Sequence, residues 1–487
     1  MRQRHFQKPI IGRASSSPSD KWCALVANLM PQFDTMPRTF RSVDHEAALD
    51  LTVRLGDCLP PTHLARFVAD TIAQLDLSAL YARFGKRGGV AYAPELLLGL
   101  LFYGYATGVF SSRKLERATY ETIPFRFLAG NLHPDHDTLA EFRRAFLPDL
   151  QELFVQILLL AEAAGVLQLG NVSLDGTKIH ADASKSHAVS HKRLLELEAR
   201  LQAEVQELFA LSEAADSGAV PPGMSVPEEL ALREARLARL AAAKTVLAAR
   251  AAARFAAEQA EYEAKLAERG ENTERTGRPP RGKPPTPPAP GPRDGDQYNF
   301  TDPDARIMKN SQNAGFDQHY NAQAAVAQAS RLIVGVSLSN HPNDQAEVEP
   351  TLDSLPAALP APTAAALDNG FFSAKNIATL EGRGISAYIA TGRDAHHQSW
   401  QERFAGEPEP PAAGASPKVK MAFRLQTAAG KAIYGLRKST VEPVIGIIKE
   451  VLGFRQFSLR GEAAARGEWV LVCLAYNLKR LHTLTFG

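Results

Sequence analysis

The segment NVSLDGTKIH, residues 171–180, is the stretch that points most directly to the fold. Its side chains alternate and it is rich in residues that favour strands, so the pattern predicts a β-strand. An apparent hairpin follows much later in the chain, with strands at 320–326 and 332–338 and a turn near Ser330. Both patterns indicate a β-sheet, and one of its strands carries an acidic residue, Asp175.

Helical and strand patterns alternate after this hairpin. A helix is predicted at 344–355, a short apolar strand at 364–367, a helix at 373–383 and a strand at 386–390. Alternation of this kind is typical of an α/β layer with a mixed sheet. A further helix is predicted at 441–449, beginning near Glu442. The predicted fold class is therefore α/β.

Residues 60–165 differ from the rest because their apolar periodicity is helical throughout. This part is predicted to be an all-helical domain. Its basic residues fit a DNA-binding domain, although a helical scaffold with a solvated basic face is an equally simple interpretation. These residues are Arg113, Lys114, Arg117, Arg143 and Arg144.

Residues 185–300 interrupt the α/β pattern. Leucines follow heptad spacing in two stretches, 194–211 and 230–247, which predicts an antiparallel, coiled-coil-like helical hairpin. A proline-rich tract follows and cannot pack a core. We therefore interpret residues 185–300 as an insertion into the α/β domain.

Composition excludes several classes of protein. The apolar fraction of 45% is ordinary for a soluble globular protein, and the apolar runs are far short of a membrane span. Three scattered cysteines favour reduced thiols, so we expect a cytoplasmic protein. The net charge is only +2, but residues 416–487 contain 12 Lys and Arg against 4 Asp and Glu. This local basic balance would attract phosphates.

Three carboxylates stand out by their positions. Asp175 lies within the first strand, Asp368 ends an apolar strand, and Glu442 is predicted at a helix start. Any one of them alone is most simply a turn former or a helix cap. Together on an α/β scaffold they form the ligand set that Mg²⁺ or Mn²⁺ prefers, and two such ions can support an in-line phosphoryl displacement.

Other polar residues are candidates of lower rank. Asp182, Asp317 and Asp344 also lie near predicted strand ends. We interpret them as decoys, that is, acids that resemble the candidate ligands in position but are not part of the site. Arg437 and Lys449 could contact phosphates that flank a scissile bond. Tyr434 could stack on a displaced nucleotide, although ordinary packing explains it equally well.

Three blocks of this sequence resemble the catalytic blocks of insertion-sequence DDE transposases. They are VSLDGTKIHADASK, ALDNGFF and YGLRKSTVEPVIGIIKEVLGFRQFSLRG, the last followed by AYNLKRL. The third block contains a Tyr–Arg–Glu–Lys signature at Tyr434, Arg437, Glu442 and Lys449. Four residues separate Arg437 from Glu442, where the related pattern usually has three, so Lys438 is a possible substitute for Arg437.

The resemblance implies a fold, a site and partners. The fold would be an RNase-H-like core, a mixed five-stranded sheet flanked by helices, with metal ligands Asp175, Asp368 and Glu442 and two Mg²⁺ or Mn²⁺ ions. The partner would be double-stranded DNA, bound by a homodimer or higher oligomer associated with the nucleoid. The parts would be 1–35, a disordered arm or misassigned start; 36–165, the helical DNA-binding domain; 166–184 with 301–487, the catalytic domain; and 185–300, the insertion.

The implied activity is metal-dependent strand cleavage and strand transfer at the terminal inverted repeats of an insertion sequence. Three alternatives remain open at this level. The chain could be a catalytically inactive DNA-binding derivative, or a metal nuclease with the same core that does not transfer strands. It could also be an interaction protein built around the heptad hairpin.

Overall fold

The computed structural model describes residues 40–47, 53–84, 90–213, 221, 223–280, 282–310, 315–392, 409–412 and 414–487. The arm or misassigned start predicted at residues 1–35 lies outside these ranges. The chain divides into two compact units, Ala183–Ile307 and the remainder, Met1–Asp182 with Met308–Gly487. The bounds of the first unit are similar to those of the insertion predicted at 185–300.

The described helices and strands are labelled in chain order. The helices are α1 Leu64–Ile72, α2 Ser78–Ala82, α3 Pro94–Ala106, α4 Ser112–Glu121, α5 Ile123–Leu128, α6 His136–Phe146, α7 Leu150–Ala163, α8 His191–Glu213, α9 Val226–Thr276, α10 Val348–Asp353, α11 Ala374–Gly382, α12 Pro417–Gln426, α13 Ala428–Gly435, α14 Arg437–Gly446 and α15 Glu462–Phe486. The strands are β1 Phe40–Arg41, β2 Ala91–Tyr92, β3 Asn171–His180, β4 Ala188–Ser190, β5 Gln297–Asn299, β6 Arg306–Lys309, β7 Phe316–Ala327, β8 Ile333–Ser339, β9 Ala364–Leu367 and β10 Ser386–Ile389.

The main sheet is mixed, and β3 lies near its middle. The order is β10-β9-β3-β7, with β8 and β6 both beside β7. β9 and β10 run parallel to β3, whereas β7 is antiparallel to β3 and β8 is antiparallel to β7. The predicted strand at 171–180 and the predicted hairpin are confirmed. The predicted number of five strands is wrong by one, because the four-residue β6 lies where the chain returns from the insertion and is too short to show a clear pattern.

Two helices differ from their predictions. α10 covers Val348–Asp353, half the length predicted at 344–355, and Asp344 therefore lies in the loop before it. α14 begins at Arg437 rather than near Glu442, and Pro443 lies inside it. Proline removes one helical hydrogen bond and clashes with the preceding turn, and here a π-helical turn follows at Ile447–Val451.

α15 forms the buried centre of the larger unit. Most of its middle, from Gly467 to Leu478, is shielded from solvent. The Trp469 indole donates to the Gln323 carbonyl of β7 at 2.9 Å, and the Asn477 side chain bonds both the N–H and the carbonyl of Ile333 in β8. The helix is therefore fixed to the sheet by polar contacts as well as by apolar packing.

A buried carboxylate, Glu468, connects α15 with the N-terminal helices. It is fully shielded from solvent and accepts a hydrogen bond from the Tyr105 hydroxyl of α3 at 3.0 Å. It also accepts from the backbone N–H groups of Ser458 and Leu459 at 2.8 and 3.1 Å. Arg143 of α6 donates to the same Tyr105 hydroxyl at 2.9 Å, which completes a charged network.

The smaller unit is built on α8 and α9. Its apolar core contains Leu194 of α8 together with Leu240 and Leu247 of α9, three of the leucines in the heptad pattern. Ion pairs join the two helices, between Lys244 and Glu198 and between Arg233 and Glu204. At 51 residues, α9 is more than twice the length of α8.

No helix in the described ranges is both long enough and apolar enough to cross a membrane.

Replacing Glu468 by alanine should destabilise the protein strongly. The change leaves the Tyr105 hydroxyl and the backbone N–H groups of Ser458 and Leu459 without their shared acceptor, and it removes the buried negative charge that balances Arg143, which costs about 3–5 kcal/mol. Chemical denaturation monitored by circular dichroism measures the loss. Glu462→Ala on the same helix removes a partly exposed partner of Arg466 and should cost less than about 1 kcal/mol. Equal losses for the two variants would contradict this account.

Candidate active site

The parallel pairing of β3 and β9 brings two of the predicted acids together. Ser173 of β3 lies opposite Ala366 of β9, so two residues further along each strand Asp175 and Asp368 reach the same level. Asp368 directly follows β9, and its carboxylate accepts from the Gly370 N–H at 2.7 Å, which fixes the turn. The strand register, rather than a sequence motif, is what aligns these two carboxylates.

The third acid, Glu442, lies on α14. The Thr440 hydroxyl donates to the Ser173 hydroxyl at 2.9 Å, and both residues are buried, so α14 is fixed against β3 close to Asp175. Glu442 lies two residues beyond Thr440. Its side chain is 47% exposed, which leaves the carboxylate accessible to a ligand from solvent.

The side chain of Arg437 lies at the centre of these three acids. Its Nη2 is 2.9 Å from Asp175 Oδ2 and 3.8 Å from Asp368 Oδ2, while its Nη1 is 3.1 Å from Glu442 Oε1. The Arg437 side chain is only 8% exposed. One guanidinium therefore bridges the whole predicted triad, and the five-residue spacing from Arg437 to Glu442 on α14 permits this.

Negative charge exceeds positive charge at this site. The pKa of Asp175 is raised to about 7, chiefly by burial; the nearby Asp368 and Asp344 carboxylates contribute to the rise, whereas Arg437 and the Gly176 N–H act in the opposite direction. Three carboxylates share one guanidinium, which is too little positive charge to balance them. An additional cation would be stabilised here.

Asp344 was ranked as a decoy from the sequence, and the structure brings it to the edge of this site. Its Oδ1 accepts from the side-chain amides of Asn321 and Gln323, each at 2.8 Å, and both donors are buried in β7. A Cβ on Gly370 would lie 3.0 Å from Asp368 Oδ1 and 3.4 Å from Asp344 Oδ2. The two acids thus face one glycine, and the buried amides of β7 are the signal that sequence reasoning missed.

The predicted DNA-contact residues occupy different environments. Tyr434 on α13 is half-buried, and Lys438 on α14 is exposed. Lys449 lies in the π-helical turn, and burial lowers the pKa of its ammonium group. Arg437, for which Lys438 was considered a substitute, points inward to the acids, so the two neighbouring cations are not equivalent.

Two of the remaining acids are engaged elsewhere, as their interpretation as decoys requires. Asp182 forms an ion pair with Arg460 at 2.8 Å, and Asp317 accepts from the Asn310 amide at 2.9 Å. Arg143, one of the basic residues considered for DNA contact, is buried and bonds Tyr105 and the Phe110 carbonyl. Arg143 therefore lies inside the helical domain and not on its basic surface.

The donor chemistry suits a hard divalent cation, because carboxylate oxygens are the ligands that Mg²⁺ and Mn²⁺ prefer. Across the described ranges, however, no three His, Cys, Asp or Glu side chains are spaced to hold an ion as they stand. The acids are spread around the guanidinium instead. Asp175, Asp368 and Glu442 would hold a metal after a local adjustment of Arg437.

Two family models match the chain. One, described as "Transposase domain (DUF772)", matches residues 53–145, which contain α1 to α5 and all of α6 except its last residue. The other, described as "Transposase DDE domain", matches residues 413–482, which contain α14 with Arg437 and Glu442.

Both matches are to transposase domains, and together they support an insertion-sequence DDE transposase.

The two family matches cover different parts of the chain, and only the DDE match includes residues of the candidate site. The DDE match covers the helix that carries Arg437 and Glu442, and it does not extend to Asp175 or Asp368. No curated protein and no solved structure matches the transposase. The link from α14 to the two aspartates therefore rests on the contacts of Arg437.

The raised pKa of Asp175 predicts a pH-dependent stability of the metal-free transposase. A carboxyl whose pKa is higher in the folded state contributes stability that is fully present below the unfolded value of 3.8 and is lost as the pH rises to about 7. Asp175→Asn removes this titration, so its stability relative to wild type should increase by about 2 kcal/mol between about pH 5 and about pH 7.

Urea denaturation in the presence of a chelator measures this difference. The control is Asp182→Asn, which removes an exposed carboxylate from its pair with Arg460. A stability difference between wild type and Asp175→Asn that stays constant over this pH range would show that Asp175 does not titrate as described.

Proposed function

We propose that this transposase cleaves DNA strands and transfers them at the terminal inverted repeats of its insertion sequence, using divalent metal ions. The observation that carries the proposal is the convergence of Asp175, Asp368 and Glu442 on one guanidinium. Three acids from two strand regions and one helix meet in a charge-rich site next to a basic segment. The DDE transposase family generally uses divalent metal, which agrees with this donor set.

The three carboxylates would be the metal ligands, for two Mg²⁺ or Mn²⁺ ions. Such ions lower the pKa of an attacking water or 3′-hydroxyl and stabilise the leaving oxygen. Asp175 would be the most rigid ligand, because its side chain is only 16% exposed and its Oδ1 accepts from the Gly176 N–H. Asp368 and Glu442, at 40% and 47% exposure, face solvent and would meet the substrate.

The basic residues around α14 would position the DNA backbone. Lys438 is exposed next to Arg437, Tyr434 lies on the preceding helix α13, and Lys449 lies in the π-helical turn after α14. Lysine supplies a point charge for phosphate, and arginine a planar fork that binds phosphate through two bonds. Tyr434 would stack on or hydrogen-bond a displaced nucleotide.

The remaining assignments are part of the same proposal. The mixed sheet with its flanking helices would be an RNase-H-like catalytic domain, made of residues 166–184 and 301–487. Residues 36–165 would bind DNA, and the 185–300 insertion would be a separate coiled-coil-like module. Pairing of two DNA ends would require a homodimer or higher oligomer, acting on DNA in the cytoplasm at the nucleoid.

A metal nuclease without strand transfer is the second candidate function, since the same acids would serve both reactions. An assay that separates cleaved from joined products distinguishes the two. An inactive DNA-binding derivative is disfavoured because all three acids are present and converge.

Replacement of Asp368 by alanine should reduce strand cleavage by at least about a hundredfold while DNA binding is retained, because a metal ligand is lost without a change in basic surface. The substrate is a labelled duplex that carries the DNA flanking the gene. Cleavage is followed on denaturing gels with Mg²⁺, and binding by fluorescence anisotropy.

The matched control is Asp182→Ala, which removes an acid seven residues beyond Asp175 that pairs with Arg460. This variant should cleave as wild type does. Full cleavage by Asp368→Ala, or cleavage by wild type in excess chelator, would refute the proposal.

The exposed face of α4 supplies a separate prediction about DNA binding. Arg113, Lys114 and Arg117 are exposed there, and Tyr120 is 56% exposed and stacks on His133 at 3.9 Å. If this face contacts phosphates, Arg113→Ala with Lys114→Ala should weaken binding and reduce the slope of log K against log salt by about 2.

Anisotropy titrations at several salt concentrations measure that slope. The charge-conserving pair Arg113→Lys with Lys114→Arg is the control and should retain the wild-type slope. An unchanged slope in the alanine pair would remove α4 from the DNA-binding surface.

A further inference from the structure

The position of Arg437 has a consequence for how metal ions could enter. Its two terminal nitrogens are divided between the acids, with Nη1 near Glu442 and Nη2 near both Asp175 and Asp368. The side chain is nearly buried. A guanidinium carries a permanent positive charge in proteins, so it cannot reduce its repulsion of an incoming cation by losing a proton.

The guanidinium of Arg437 is also incompletely hydrogen-bonded. Within the described part of the chain, the Arg437 Nε is shielded from solvent and has no hydrogen-bond partner. A buried N–H without a partner is destabilising, because it has lost its hydrogen bond to water and has gained no other. Attraction to the carboxylates therefore holds Arg437 in its inward position, although its unpaired Nε is unfavourable there. A partner that binds the whole guanidinium would favour an outward position of the side chain.

Arg437 and a metal ion would compete for the same oxygens. Mg²⁺ binds carboxylate oxygen at about 2.0–2.1 Å. Asp175 Oδ2 and Glu442 Oε1 already lie at hydrogen-bond distance from the guanidinium. An ion bound at these carboxylates would lie close to the fixed positive charge of the guanidinium, so metal binding is weakened while Arg437 remains among the acids.

DNA phosphate is the partner that suits the displaced side chain. Arg437 is the first residue of α14, and it is followed directly by the exposed Lys438. Phosphate binds arginine through two parallel bonds. If phosphate binding moves Arg437 outward, it frees the acids, and binding of DNA and of metal must then strengthen each other by the same factor.

We infer that Arg437 is a built-in counter-cation that occupies the acidic site in the absence of DNA and makes metal binding dependent on DNA binding. This inference rests on the proposed function. It assigns to Arg437 a positioning role in the order of binding, in addition to a contact with phosphate.

Isothermal titration calorimetry with Mn²⁺ tests the inference without a measurement of activity. Without DNA, Arg437→Gln should bind Mn²⁺ about tenfold more tightly than wild type. A factor of this size is within the usual range for coupling between two binding sites. Arg437→Lys keeps the charge and should bind as wild type does. The control is Arg383→Ala, which removes an arginine from a carboxylate pair with Asp353 and should have no effect.

The second arm uses wild-type protein and so does not depend on how a variant folds. A duplex of the gene's terminal repeat should tighten Mn²⁺ binding to wild type about tenfold, and it should have little effect on Arg437→Gln. Equal Mn²⁺ affinities of wild type and Arg437→Gln, or DNA coupling that persists in Arg437→Gln, would overturn the inference and leave the proposed function intact. An absence of Mn²⁺ binding to every protein with DNA present would overturn both.

Discussion

The ion pairs between Arg437 and three carboxylates are the interaction on which the site depends. Asp175, Asp368 and Glu442 come from distant parts of the chain, and without a positive charge among them their mutual repulsion would oppose the packing of α14 on β3. The guanidinium removes much of that cost. The positive side chain of Arg437 therefore holds together a cluster of carboxylates that is suited to bind cations.

The surrounding fold holds this arrangement in place. The parallel register of β3 and β9 aligns the two aspartates, and the hydroxyl pair of Thr440 and Ser173 fixes α14 beside them. α15 secures the opposite part of the unit, where Glu468 joins the sheet-bound helix to Tyr105 of the N-terminal helices. The helical segment and the sheet therefore form one compact unit rather than two loosely joined domains.

The strands could be predicted from sequence because their patterns are local: β3 has the predicted limits, and β9 matches the apolar run at 364–367. The three acids could be chosen from their positions and from the resemblance to a known family. The positions of Arg437 and Asp344 could not be predicted, since they depend on contacts between distant segments. The burial of Arg143 beside Tyr105 and Phe110 could not be predicted for the same reason, because a helical pattern does not show it. The start of α14 also differs from the predicted start near Glu442, because the helix begins at Arg437 and contains Pro443 in its interior.

The central claim is that the three acids around Arg437 form a metal centre that acts on DNA. The most direct test is anomalous diffraction at the manganese edge, from crystals of the full chain grown with a terminal-repeat duplex and Mn²⁺. The account predicts manganese peaks bound by the carboxylates of Asp175, Asp368 and Glu442, with the Arg437 side chain turned away from them. Manganese bound at other residues, or Arg437 still seated among the acids beside an intact DNA end, would contradict it.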